Sequence, residues 1–338
     1  MAARLTGRKL PCPLPAPILD SALHPTRPPI SAIAQSAGAH SQQPRADLTL
    51  LAMTISWGAT FTVVKDSLAF ASPGAFLTAR FTIATLVALA IARRSLFHRP
   101  SVRAGLLLGV LLFLGFAFQT WGLRYTTPTR SAFLTGLAVV LVPLFRALVF
   151  KKPVHNASWA GACLAVLGLF QMSAPSLLLG GATLLGDLLT LCCAVCFALG
   201  IVVTERAAPD VKPGAAAAVQ IAVTAVLSML TLAFEEVRFI PTPSLWTSLV
   251  ITGVFNTAIA FFLQLWAQAR TTAIRAALIF SLEPLFAALF AHLLAGEPLV
   301  REVAQGGSLI LLGILTAELW PRLELRRAAG AQALQEPR

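Results

Sequence analysis

From Leu48 onward the chain alternates long apolar stretches with short polar connections. The stretches fall near residues 48–66, 73–92, 104–123, 130–150, 157–174, 183–204, 214–234, 244–266, 272–295 and 303–320. An apolar helix rises about 1.5 Å per residue, so roughly 20 residues cross a hydrocarbon layer about 30 Å thick. Lipid offers no partner to an unpaired backbone group, which predicts ten membrane-spanning helices, spans 1 to 10, and an all-α membrane protein. The connections carry the helix breakers, among them Ser72-Pro73-Gly74, Lys151-Lys152-Pro153, Gly180-Gly181 and Gly296-Glu297-Pro298.

The chain also repeats itself. At a shift of 140, Asp47-Leu48 meets Asp187-Leu188 and Pro73-Gly74-Ala75 meets Pro213-Gly214-Ala215. At a shift of 145, Phe116, Gln119, Trp121, Thr126, Thr127 and Arg130 meet Phe261, Gln264, Trp266, Thr271, Thr272 and Arg275. Chance would scatter Leu and Ala matches but would not align rare Trp, Gln and Pro in order. The chain therefore divides into residues 47–174 and 183–320, five spans each, with tails at 1–46 and 321–338. Five is odd, so the second copy enters the membrane from the opposite face and the repeats are inverted. Such a pair is related by a pseudo-two-fold axis in the membrane plane, the geometry of alternating access in transporters.

Composition and charge sharpen this picture. The 338 residues are 57% hydrophobic and 12% charged, with a mean hydropathy of +0.78, more apolar than one water-soluble core can hide. The net charge of +12 would suit a nucleic-acid partner only if the cations shared a solvated face, whereas here they punctuate apolar runs, so no nucleic-acid partner is expected. Lys and Arg accumulate on the cytoplasmic side of short loops. The side holding the N-terminal tail collects twenty of the 26 cations, the other side five, and Arg80 lies within span 2. Both termini are thus expected in the cytoplasm, of a plasma (inner) membrane protein. Residues 1–46 are Pro-, Ala- and Ser-rich, with five cations against Asp20 alone, and are expected to be a disordered tail. An organelle transit peptide shares that composition, in which case the membrane would be an organelle's.

Trp57-Gly58-x-x-Phe61, the run QTWGLRYTTPTRSAFLTGL from Gln119 to Leu137, and Ser281-Leu282-Glu283-Pro284 leading to Gly296-Glu297-Pro298 resemble the EamA branch of the drug/metabolite transporter superfamily. The resemblance covers residues 48–320. It implies a ten-helix transporter whose central cavity is lined mainly by spans 3, 4, 8 and 9, moving metabolites such as amino acids, usually outward and coupled to protons. Arg130 and Arg275 depart from it, placing charge where the family often has small residues.

An ionised side chain at the centre of a span costs at least roughly 2.5–3.5 kcal/mol, so each one needs a partner or a use. Glu283 lies midway along span 9, before Pro284, which frees the Phe280 carbonyl and kinks the helix. It is the candidate acid for proton coupling or substrate binding; the alternative is a carboxyl fixed to a neighbouring span. Arg80 needs an anion, either Glu283 or a substrate carboxylate. Gln119 and Gln264 lie two residues before Trp121 and Trp266 in matching places, serving either the membrane interface or a shared cavity. Asn256 in span 8 carries the same alternatives, and Trp57 either lines the cavity or packs on lipid.

Gly105-x-x-x-Gly109 in span 3 and the matched Gly161/Gly168 and Gly306/Gly313 of spans 5 and 10 mark close helix contacts, within the chain or across a homodimer. Cys193-x-x-Cys196 lies among Leu, Ala and Val, where thiols fill space. No HExxH, GxSxG or Walker glycine loop occurs, and no metal or cofactor is expected. The expected function is export of small metabolites, with the bilayer and a small-molecule substrate as partners and no enzymatic activity. A polytopic enzyme on lipid-linked substrates would want several converging carboxylates or histidines. A nucleotide-sugar or phosphate-ester carrier would want several cavity-facing cations besides Arg80.

Overall fold

A computed structural model describes the backbone of residues 30–92, 96, 98–178, 184–295 and 301–335. Most of the N-terminal tail, Gly180-Gly181 and Gly296-Glu297-Pro298 lie outside the described residues. Two units are distinguished, Met1–Ser41 and Gln42–Arg338. In the first, the described residues from Ile30 are helical, part of a helix over Ile30–Gly58. The expected tail without regular structure thus already carries helix from Ile30. The segment after Ile30 is rich in Ala, Ser and Gln, and its lone proline, Pro44, is accommodated inside the helix.

The second unit is helical, with no strand among the described residues. Among the described residues nine of its helical stretches are long and apolar enough to cross a membrane. They are Gln42–Ser67 (span 1), Pro73–Ala92 (span 2), Arg99–Leu123 (span 3), Arg130–Leu148 (span 4), Leu184–Asp210 (span 6), Pro213–Phe234 (span 7), Pro243–Gln268 (span 8), Ala273–Phe290 (span 9) and Arg301–Pro321 (span 10). The helix Asn156–Leu178 fills the place of span 5. The order is therefore two five-helix repeats, and side chains exposed at their outer surfaces, such as Leu86, Leu107, Phe170 and Leu230, are those a lipid tail would solvate.

Small residues set how closely the helices approach. A Cβ on Gly161 would lie 2.5 Å from the Gly313 carbonyl oxygen, and one on Gly168 2.4 Å from that of Gly306, so spans 5 and 10 touch backbone to backbone. These glycine faces meet inside one chain and are not free to meet a second copy. Gly105 and Gly109 do the same for spans 3 and 7, where an added Cβ would sit 2.6 Å from Val219 and Val223 respectively. At the far end of the bundle the connections between spans 1 and 2 and between spans 7 and 8 are tied by Ser72 N donating to Arg238 O (2.8 Å) and Ile240 N to Phe70 O (2.8 Å). Glu235 accepts from Ser72 Oγ (2.7 Å) and Ala75 N (3.1 Å), placing a carboxylate at the positive N-terminus of span 2.

Among the described residues four spans are interrupted within their length, and span 1 breaks at Ala59, between helices Ile30–Gly58 and Thr60–Ser67. Span 4 breaks at Leu137, between helices Pro128–Gly136 and Ala138–Leu148. Span 9 breaks at Ser281-Leu282, between Ala273–Phe280 and Glu283–Ala295. The two breaks are equivalent at a shift of 145. The kink expected at Pro284 thus falls at the preceding residues, because Pro is tolerated in the first turn of a helix and so opens the second half rather than bending it. Span 8 carries a π-helix over Ile251–Ile259, flanked by α-helix on both sides.

Candidate functional site: a central cavity between the repeats

Between the repeats lies a cavity of about 120 Å³ lined by spans 1, 2, 3, 4, 6, 7, 8 and 9. The expected lining by spans 3, 4, 8 and 9 is too narrow, since Trp57, Thr60, Phe61 and Val64 of span 1 and Phe197, Gly200, Ile201 and Thr204 of span 6 also face it. These eight residues are four repeat-related pairs at a shift of 140. Spans 1 and 6 are equivalent first helices of inverted repeats, so the axis brings their matching faces to one hollow.

The same holds for most of the lining. Arg80 falls on Gln220 at a shift of 140, and Phe116, Gln119, Thr135, Gly136 and Ala138 fall on Phe261, Gln264, Phe280, Ser281 and Glu283 at 145. The cavity is therefore built twice over from one set of positions, and its two charges break the symmetry. Arg80 stands opposite an amide and Glu283 opposite a methyl group. Each of the two ionisable groups is present in one repeat only.

Arg80 is 3% exposed. Its Nε donates to Thr257 Oγ1 at 2.9 Å, and Thr257 in turn donates to Thr252 O at 2.7 Å, five residues back along the π-helix. The wider π-turn lets that hydroxyl close on a carbonyl while holding the guanidinium, a local irregularity typical of functional positions. Gly253 lets the segment lie against span 2, since a Cβ there would be 3.0 Å from Arg80 O. The guanidinium carbon sits 4.6 Å from the Phe116 ring centroid and 5.6 Å from that of Phe81. Among the described residues Arg80 forms no ion pair, so of the two anions considered for it Glu283 is not its partner in this structure. Both charges face the same hollow, and the hydroxyl of Thr257 and the aromatic faces take the partner's place for Arg80.

Trp57 lines the cavity, donates from Nε1 to Asn256 O at 3.1 Å, and lies 5.6 Å from Phe261 and 5.5 Å from Phe280, ring centre to ring centre. With Phe116 and Phe197 these rings make the apolar wall. Gln119 and Gln264 both line the cavity, and Gln264 Oε1 is buried with no hydrogen-bond partner, an acceptor aimed at whatever enters. Glu283 completes the polar lining from the start of the second half of span 9.

Three expected site residues are elsewhere. Asn256 is buried behind the wall, its Oδ1 accepting from Ser56 Oγ, where it ties span 8 to span 1. Trp121 packs into the apolar core beside Phe81 and Phe116. Trp266 carries Arg270 on its face, the guanidinium 4.3 Å from the ring centroid. Helical spacing accounts for the split, because residues two apart within a continuous helix point to different faces, which turns Trp121 and Trp266 away from the hollow that Gln119 and Gln264 line. Gln220 was missed, although its register with Arg80 at a shift of 140 marks it.

Two five-helix repeats around an interior hollow, apolar-walled with a few polar side chains, have the architecture of membrane transporters. Residues 44–174 and 184–318 each match the EamA-like transporter family, and the chain belongs to that family. It is 35% identical over 291 residues to an uncharacterized transporter of Archaeoglobus fulgidus, covering 86% of this chain and 91% of that protein. It is 25% identical over 288 residues to the uncharacterized transporter YyaM of Bacillus subtilis, covering 80% and 92%. A crystal structure shares the fold with a TM-score of 0.69 at 23% identity, over 83% of this chain and 99% of that one.

Proposed function

We propose that this transporter is a secondary active carrier exporting small zwitterionic metabolites, amino acids among them, by alternating access and in exchange for protons. The observation that carries the reading is the placement of Arg80 and Glu283 in one cavity without an ion pair between them. A zwitterion satisfies both groups at once: its carboxylate meets the Arg80 fork and its ammonium meets Glu283, while the aromatic wall takes the side chain. A proton on Glu283 competes with that ammonium for the same carboxylate. Release of substrate on one face and of the proton on the other then follows from one shared site.

A phosphate-ester carrier would need several cations at the hollow, and among the described lining residues Arg80 is the sole Lys or Arg. The excess of cations on the N-terminal side supports both termini in the cytoplasm, in a plasma membrane. Counterflow in proteoliposomes over a panel of amino acids, nucleosides and sugar phosphates tests the substrate class. Saturable exchange of zwitterionic amino acids that is lost in Arg80→Gln is expected; exchange restricted to phosphate esters would overturn the reading.

A further inference from the structure

Asp47 and Asp187 are equivalent by the repeat, and so are Arg130 and Arg275. The structure joins them crosswise. Arg130 of span 4 grips Asp187 of span 6, with Nε to Oδ1 at 2.8 Å and Nη2 to Oδ2 at 2.5 Å. Arg275 of span 9 reaches Asp47 of span 1 at 2.9 Å and Glu318 of span 10 at 3.0 Å. The surroundings match as well: Thr271 Oγ1 lies 3.3 Å from Asp47 Oδ1 and Thr126 Oγ1 3.5 Å from Asp187 Oδ1. Each pair links one repeat to the other. One sits where span 1 begins and the other where span 6 begins, and because the repeats are inverted these are opposite ends of the bundle.

The helices holding the arginines have the form of levers. Arg130 lies in the first turn of the half-helix Pro128–Gly136, capped by Thr127, whose hydroxyl accepts from Arg130 N at 3.3 Å. Arg275 lies in the first turn of Ala273–Phe280, capped in the same way by Thr272. Each half-helix ends at the break in its span, and there it lines the cavity, through Thr135-Gly136 in one case and Phe280-Ser281 in the other. An arginine held to the opposite repeat at one end of a half-helix thus fixes the cavity wall at its other end.

We infer that Arg130–Asp187 and Arg275–Asp47 are a symmetry-related pair of latches that open alternately, each closing the cavity to one face of the membrane. Both pairs are made in this structure. The side chains are 15–23% exposed, desolvated enough for the paired forks to hold yet open enough for water to replace them when a latch releases. The latches also explain why this chain carries arginine at both places.

The inference rests on the carrier reading, and its test is run without substrate so that the two fail separately. Gly200 lines the cavity and a Cβ there meets nothing within 4 Å, so Gly200→Cys in a background with Cys12, Cys163, Cys192, Cys193 and Cys196 replaced by Ala reports access to the hollow. A membrane-impermeant maleimide is applied to sealed vesicles of either orientation. Asp187→Asn is expected to raise labelling about tenfold from the face bearing Arg130 and not from the other. Asp47→Asn with Glu318→Gln is expected to do the reverse, and the exchange Arg130→Asp with Asp187→Arg to restore the parental rate. Unchanged labelling in both variants, a rise at the same face in both, or a loss at both faces that the charge exchange fails to restore would make these pairs static braces and overturn the inference. Altered access without amino-acid exchange would leave the latches standing and remove the substrate reading instead.

Discussion

Replacing Gly168 by Ala puts a methyl group 2.4 Å from the Gly306 carbonyl oxygen and 2.9 Å from Ile310 Cγ1. Both obstacles belong to span 10, and the nearer one is backbone that cannot rotate away. Ordinary contact requires a retreat of roughly 1 Å, and a gap of that size forfeits about a quarter to a half of the dispersion attraction of every atom pair it separates. Spans 5 and 10 adhere through this close contact, since lipid supplies no hydrophobic drive between helices. The expected cost is about 1–3 kcal/mol, the range for forcing a methylene into a filled interior. Gly200→Ala is the control with the opposite sign. It meets nothing within 4 Å and replaces glycine in a helix interior, which favours the folded state by roughly 0.5–1 kcal/mol. Thermal unfolding of the purified protein in one detergent, followed by intrinsic fluorescence, should lower the midpoint for Gly168→Ala and hold or raise it for Gly200→Ala. Equal midpoints for the two variants would refute the claim that backbone approach at Gly168 holds the spans together.

Two further substitutions probe the cavity wall. Thr257→Val removes the acceptor of Arg80 Nε and leaves a buried N–H unpaired, a loss of about 1–3 kcal/mol in stability; Thr257→Ser should retain most of it, and equal effects in the same unfolding assay would contradict the bond. Asn256→Leu should weaken the tie between spans 1 and 8 and lower stability while leaving the apparent substrate affinity in counterflow near that of the parent, whereas Gln264→Leu should weaken substrate affinity and spare stability. A reversed pattern would exchange their roles as brace and lining.

The spans were legible in the sequence because bilayer thickness imposes a length that composition cannot disguise. The duplication was legible because Trp, Gln and Pro are rare enough for register to show. Trp57, Arg80, Gln119, Gln264 and Glu283 stood out as candidates because polar and amphipathic side chains are conspicuous against an apolar background, but so did Asn256, Trp121 and Trp266, and the sequence left each between the cavity and another role. Phe197, Gly200 and Gln220 could not be singled out by type, and only the shift of 140 points to them. The π-helix of span 8 leaves no mark in Ile251–Ile259 beyond two threonines five apart, a spacing that means nothing until the backbone widens to let it close. The crosswise pairing of Asp47, Asp187, Arg130 and Arg275 was half-visible: the sequence shows two aspartates and two arginines in register but not that each arginine reaches into the opposite repeat. Contacts between repeats depend on how the halves dock, and periodicity is silent on that.

The central claim is that one carboxyl group in the hollow couples substrate to protons, and substrate accumulation against an imposed pH difference measures it most directly. Glu283 is the sole acid among the described lining residues, so the proposed coupling through it would move one proton per cycle. With the membrane potential clamped, a difference of one pH unit is worth about 1.4 kcal/mol and sustains about a tenfold substrate gradient in proteoliposomes. Glu283→Gln should abolish that gradient, the ratio falling to about one. Accumulation by Glu283→Gln equal to the parent's would contradict the account.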